Sequence, residues 1–86
     1  MVDFIITFAR SARKELERLS IHDVMRILPK IEALVSQPGP EGCRKLTGEH
    51  NLWRIRVGDY RVVYMIDDEA TKVEILVVRH RSDAYR

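Results

Sequence analysis

The chain contains one cysteine, Cys43, in 86 residues. A single thiol excludes an intramolecular disulfide and any multi-cysteine metal site. His, Cys, Asp and Glu nowhere stand at metal-ligand spacing, so no metal is expected. Glycine is scarce, at four residues, and no glycine-rich loop is present to cradle a phosphate. The Ser-x-x-Lys motif and the nucleophile elbow are missing too. No small-molecule cofactor is implied. The stretch from Met1 to Arg10 has no basic leader and only a short apolar run, which argues against a signal peptide and a membrane span. We therefore expect a cytoplasmic protein without a membrane partner. There is no internal repeat and no low-complexity tract.

A large charge excess is also lacking. Net charge is +2 and the pI about 8.9, a balance that does not by itself point to nucleic acid. What is present fits a globular, soluble chain: 45% apolar and 33% charged residues. Residues 1–86 suit one small domain, of modest stability alone, for which a stabilising partner is plausible. Of the 15 cations, most are arginine, the side chain suited to bidentate phosphate contacts and base stacking.

The most informative stretch runs from Leu52 to Tyr64. Two alternating runs flank Gly58-Asp59, a two-residue turn of the Gly-X kind, which predicts a β-hairpin. The turn sets Val57 opposite Tyr60, Arg56 opposite Arg61 and Ile55 opposite Val62. Trp53, Ile55, Val57, Tyr60, Val62 and Tyr64 then share one face, and Arg54, Arg56 and Arg61 share the other. Like charges directly opposite each other weaken a sheet. Solvated edge arginines with flat-packed stems are a common reason for such a face. Three together, with more cations near the C-terminus, point instead to a polyanion laid across them.

Around the hairpin, Val2 to Phe8 reads as a first strand and Ala9 to Leu19 as a short amphipathic helix with Ala12, Leu16 and Leu19 inward. Ser20 is a good N-cap for a second helix, with Asp23 in its first turn. Ile21, Val24, Leu28, Ile31, Leu34 and Val35 form its apolar stripe. Pro29 predicts a kink or break near Arg26 to Leu28. Residues 37–42 are a proline- and glycine-rich loop, Arg44 to Thr47 a brief strand, and 48–51 a turn. Tyr60 to Asp67 is the second hairpin strand, with Tyr60 and Tyr64 in the core. Asp67-Asp68-Glu69 is a solvated turn rather than a carboxylate pair. Lys72 to Val78 is the last strand, with Val73, Ile75 and Val77 on one face. The class is α+β: a largely antiparallel sheet with two N-terminal helices packed on one face.

Four motifs carry a resemblance over nearly the whole chain. They are Trp-Arg-Ile-Arg-Val-Gly-Asp-Tyr-Arg-Val-Val-Tyr at 53–64, Arg-His-Arg-Ser-Asp-Ala-Tyr at 79–85, Lys-Leu-Thr-Gly at 45–48, and Phe8-x-x-x-Ala12-x-x-x-Leu16. With the element order, the chain resembles the RelE toxins of toxin–antitoxin pairs, within the RelE/ParE superfamily. The resemblance implies a RelE-like β-α-α-β-β-β(-β) fold. It implies a ribosome-dependent mRNA endonuclease that works in the ribosomal A site by metal-independent 2′-hydroxyl attack. It also implies a RelB-like antitoxin as partner. The family's site residues fall on Arg54 and Arg56, on Arg61, on Arg79 or Arg81, and on Tyr85. Arg44, Lys45 and His80 are implied as flanking RNA contacts.

Cleavage by 2′-OH attack needs a base, charge stabilisation at the phosphorane and an acid for the 5′-oxygen. Arg56 and Arg61 would hold the phosphate, with Arg54 beside it. Arg79 or Arg81 would serve the leaving oxygen, and Tyr85 would stack on or orient a base. Some family members have lysine where this chain has Arg54 and Arg56. Arginine keeps its proton, which leaves base duty to Tyr85, His80, or solvent and ribosomal groups. His80 also reads as a plain strand-end histidine, and His22 and His50 carry no assigned chemistry. Two other functions share the fold. One is a ParE-like toxin that inhibits DNA gyrase without cutting RNA. The other is a degenerate toxin acting only within an antitoxin repressor complex.

Overall fold

The computed structural model describes residues 3–39, 44–46 and 51–82. β1 (Ile5–Phe8) leads through Ala9 into α1 (Arg10–Arg18). α2 (Ile21–Glu32) follows after only Leu19 and Ser20, and a single 3-10 turn (Ala33–Val35) closes it. Then come β2 (Arg44–Lys45), β3 (Leu52–Val57), β4 (Tyr60–Asp67) and β5 (Lys72–His80). The five strands form one sheet in the order β1-β5-β4-β3-β2. β1 runs parallel to β5 and every other neighbouring pair is antiparallel. No helix among the described residues is long and apolar enough to cross a membrane.

Both helices cover one face of the sheet. Ala12, Ile27, Ile31 and Leu34 from the helical layer pack with Ile55, Val57, Val62, Tyr64, Val73, Ile75 and Val78. Leu16, Leu19, Leu28, Trp53 and Tyr60 line the margin. Ser20 caps α2: its hydroxyl oxygen accepts the Asp23 N–H at 3.2 Å, which satisfies a donor the helix cannot use. Asp23 in turn accepts from the Tyr60 hydroxyl at 3.0 Å and ties α2 to β4.

Three sequence expectations about these elements need correction. The first strand begins at Ile5, not Val2; residues 1–2 lie outside the described residues. α2 passes through Pro29 unbroken. Pro29 lies two residues from both Ile27 and Ile31, hence on the opposite, exposed side. The carbonyl it leaves without an N–H belongs to Met25, which lies on the exposed side at 68% exposure. The buried stripe also centres on Ile27 rather than on the line from Ile21. Six residues back from Ile27 is roughly a third of a turn off that line, and Ile21 is 73% exposed.

The β3–β4 hairpin has the register its turn demands, with Val57 opposite Tyr60, Arg56 opposite Arg61 and Ile55 opposite Val62. Gly58 takes φ +59 while Asp59 does not turn positive, the type II′ pattern. The Arg26 guanidinium lies over Gly58, with Cζ 3.1 Å from where a Cβ would stand. Gly58→Ala is therefore expected to destabilise the fold by about 1–2 kcal/mol, read as a fall of several degrees in Tm. An unchanged Tm would contradict the strained turn.

β5 holds the main departure from simple alternation. Val62 pairs with Val78 and Val63 with Val77, but Tyr64 pairs with Ile75, so Leu76 is an extra residue, a β-bulge. Val73 and Ile75 face the core, and beyond the bulge the inward residue is Val78, fully buried. Val77 thus leaves the face that sequence alternation gave it. The Ser11 hydroxyl donates to the Leu76 carbonyl at 3.1 Å, so α1 meets the sheet at this irregularity. β5 also runs two residues longer than expected, to His80.

Candidate nucleic-acid interface

The bulge decides where Arg79 falls. After it, Arg79 pairs with Arg61, which pairs with Arg56. Three arginines thus stand in one row across β3, β4 and β5, on neighbouring strands about 4.8 Å apart. Without the extra Leu76, Arg79 would share its side with Val73 and Ile75 and point under the helices. On β2 and β3, Arg44 pairs with Arg54. Arg54, Arg56 and Arg61 alternate with inward residues and lie on the sheet face away from the helices. Arg44 joins them by its pairing with Arg54, and Arg79 points outward in the pleat at the margin, where it also meets Glu15 of α1. Arg44, Arg56 and Arg79 are exposed, and Arg54 and Arg61 are half-buried.

The remaining predicted site residues are not gathered there. Lys45 pairs with Trp53 and its ammonium lies 5.9 Å from the indole centroid. That cation–π contact lies on the helix side of the sheet, the opposite face from Arg44. His80 also turns to the helix side, where its ring meets Tyr60 edge-on at 5.3 Å and 88°. Its Nδ1 lies 3.2 Å from the Ser82 N–H and 2.8 Å from the Ser82 hydroxyl. Arg81 follows β5 and is exposed; its backbone N–H donates to the Asp59 carbonyl of the hairpin turn at 2.7 Å. Tyr85 lies outside the described residues, as do Cys43 and His50. Of the predicted set, the structure joins Arg44, Arg54, Arg56, Arg61 and Arg79, and separates Lys45 and His80 from them.

Neighbouring groups fill in the surroundings. An open cleft of about 220 Å³ lies at the end of α1 between Glu15, Arg18, Leu19, Tyr60, Val78 and His80. Glu15 Oε2 is 3.7 Å from Arg79 Nε. Sequence reasoning gave Glu15 only the polar side of α1, because nothing local in the chain announces the bulge that brings Arg79 to it. Asp67 accepts the Ala70 N–H at 3.1 Å, and Asp68 and Glu69 are exposed, as expected of a solvated turn. Among the described residues no three His, Cys, Asp or Glu side chains converge as a metal-binding group.

Chemically, the row can hold one or two phosphates by forked N–H donors and stabilise negative charge that develops there. Arginine remains protonated in proteins, so the row supplies charge and geometry rather than a base.

The family model for the ParE toxin of the type II toxin–antitoxin system parDE matches residues 6–85. Toxin RelG of Mycobacterium tuberculosis is 34% identical over 87 residues, covering 96% of this chain and 97% of RelG. The structure of the M. tuberculosis toxin–antitoxin complex RelBE2 contains a chain of similar fold. Its TM-score is 0.82 at 32% identity, with 93% of this chain and all (100%) of that chain covered. The isolated Escherichia coli RelE toxin gives 0.81 at 27% identity, over 95% of this chain and 90% of that one. A five-stranded sheet with two helices on one face, the arginine-bearing hairpin and these likenesses agree: the chain belongs to the RelE family, within the RelE/ParE superfamily, and is a toxin of the type II toxin–antitoxin class.

Proposed function

We propose that this toxin is a ribosome-dependent endoribonuclease, an mRNA interferase that stops translation by cutting the message. The observation that carries the reading is the row Arg56–Arg61–Arg79 on the sheet face the helices leave uncovered. Arg56 and Arg61 hold the scissile phosphate, and Arg54 and Arg44 hold the backbone beside it. The 2′-oxygen attacks the adjacent phosphorus, the bond to the 5′-oxygen breaks, and a 2′,3′-cyclic phosphate and a 5′-hydroxyl result. The guanidinium groups stabilise the charge on the phosphorane, Arg79 stabilises the departing 5′-oxygen, and that oxygen takes its proton from solvent to become the 5′-hydroxyl. The 2′-hydroxyl proton goes to a base outside the arginine row: Tyr85, solvent or a ribosomal group; His80, turned to the helix side against Tyr60, does not face the message. The ribosome supplies the bent geometry of the message, which lets so few side chains suffice.

The working compartment in this reading is the cytoplasm, and the partners are the ribosomal A site with its mRNA and a RelB-like antitoxin. The solved relative in RelBE2 is a toxin–antitoxin complex. An antitoxin segment that orders on binding would shield the same cations.

The match to the ParE model favours a second reading, a toxin that inhibits DNA gyrase and leaves RNA intact. One pair of assays separates them. Added to cell-free translation, the toxin is expected to arrest synthesis and leave gyrase supercoiling unchanged. Inhibited supercoiling with translation intact would reverse the assignment.

A further inference from the structure

We propose that Glu15 is a positioning residue: it holds Arg79 in the arginine row so that the guanidinium faces the scissile phosphate. The inference rests on the nuclease reading above and concerns the same site.

β1 ends at Phe8, opposite Ile75, so the last part of β5 has no strand on its outer side. α1 takes that place. Its first turn is fastened by the hydrogen bond from Ser11 to the Leu76 carbonyl, and the Ala9 N–H donates to the Ile75 carbonyl at 2.8 Å. Ala12 is fully buried, and Leu16 and Leu19 pack against the core. The backbone of Glu15 is therefore fixed relative to β5, and its side chain is only 24% exposed.

Arg79 is the exposed end of the row. It stands directly opposite Arg61, which stands opposite Arg56. Repulsion among like charges favours rotamers that swing Arg79 outward, and its side chain is 49% exposed. Glu15 opposes that swing from the flank. The contact is to Nε, the nitrogen on the stem side of the fork. Both Nη groups remain for phosphate or leaving-group oxygens. Glu15 is thus placed to orient Arg79 without occupying the donors the substrate needs.

Such a pair is worth little to stability, since it is partly exposed and long. Its effect belongs on the rate. Single-turnover cleavage on programmed ribosomes, with toxin varied to saturation, reads this. Glu15→Ala is expected to lower the saturating rate constant about tenfold, as misplacement of a catalytic group does. The half-saturating concentration should stay within about twofold and Tm nearly unchanged. Glu15→Asp, which keeps the carboxylate charge, should recover part of the rate, and Glu15→Gln, which removes it, should be about as slow as Glu15→Ala. The double variant Glu15→Ala/Arg79→Ala should be no slower than Arg79→Ala alone, because Glu15 then has nothing to orient. Glu15→Ala at the wild-type rate, or losses that multiply in the double variant, would overturn the inference while leaving the nuclease reading intact. A wild-type toxin that cuts no message under these conditions overturns both.

Discussion

Arg61→Ala is expected to cut ribosome-bound message about 10²–10³-fold more slowly than wild type, the usual cost of removing one donor from a preorganised charge-stabilising site. Arg61 is the middle of the row, with Arg56 on one side and Arg79 on the other. Its loss leaves a gap that neither neighbour spans. Arg61→Lys keeps the charge and removes the fork, so it should fall between wild type and alanine. Neither change touches the buried core, since the inward neighbour on β4 is Val62. Tm should fall by far less than the activity. Equal cutting by wild type and Arg61→Ala would remove this residue from the site.

The largest stability effect is expected at Tyr64. It is fully buried, and its hydroxyl donates to the Pro38 carbonyl at 2.8 Å. That bond ties the segment after α2 to the centre of the sheet. Tyr64→Ala leaves a ring-sized cavity, costing about 3–5 kcal/mol. A domain of this length has a total stability of only about 4–13 kcal/mol, so much of the margin goes. Tyr64→Phe keeps the ring and strands one acceptor, costing about 1–3 kcal/mol. Urea unfolding should show both midpoints lowered with the slope unchanged. A Tyr64→Ala midpoint within error of wild type would contradict the assigned core.

How much of this was legible in the chain depended on whether the signal was local. Gly58-Asp59 and its alternating flanks set the hairpin register, and with it the placing of Arg54, Arg56 and Arg61 on one face. The segregation of helices and strands gave the class, and Ser20 gave the start of α2. The bulge at Leu76 was not legible, because an extra residue in a strand is specified by its partners and by α1, not by its own sequence. For that reason Val77 was assigned to the wrong face, and whether Arg79 or Arg81 joins the row stayed open. Pro29 misled because its cost depends on which side of the helix it faces, and that side is exposed. Lys45 and His80 stand beside the arginines in the sequence, but their place in the fold is not local. Their positions in the pleat and their aromatic neighbours, Trp53 and Tyr60, hold them on the other side.

The central claim is that the arginine face grips a translated message and that the RNA's own 2′-oxygen cuts it. Primer extension on a ribosome-bound message, after addition of toxin, tests it most directly when one template carries a 2′-deoxy nucleotide at the cut position. The account predicts a discrete stop in the A-site codon of the all-ribose message, dependent on ribosomes and lost on the 2′-deoxy template. Undiminished cutting of the 2′-deoxy template, or no cut in either, would contradict it.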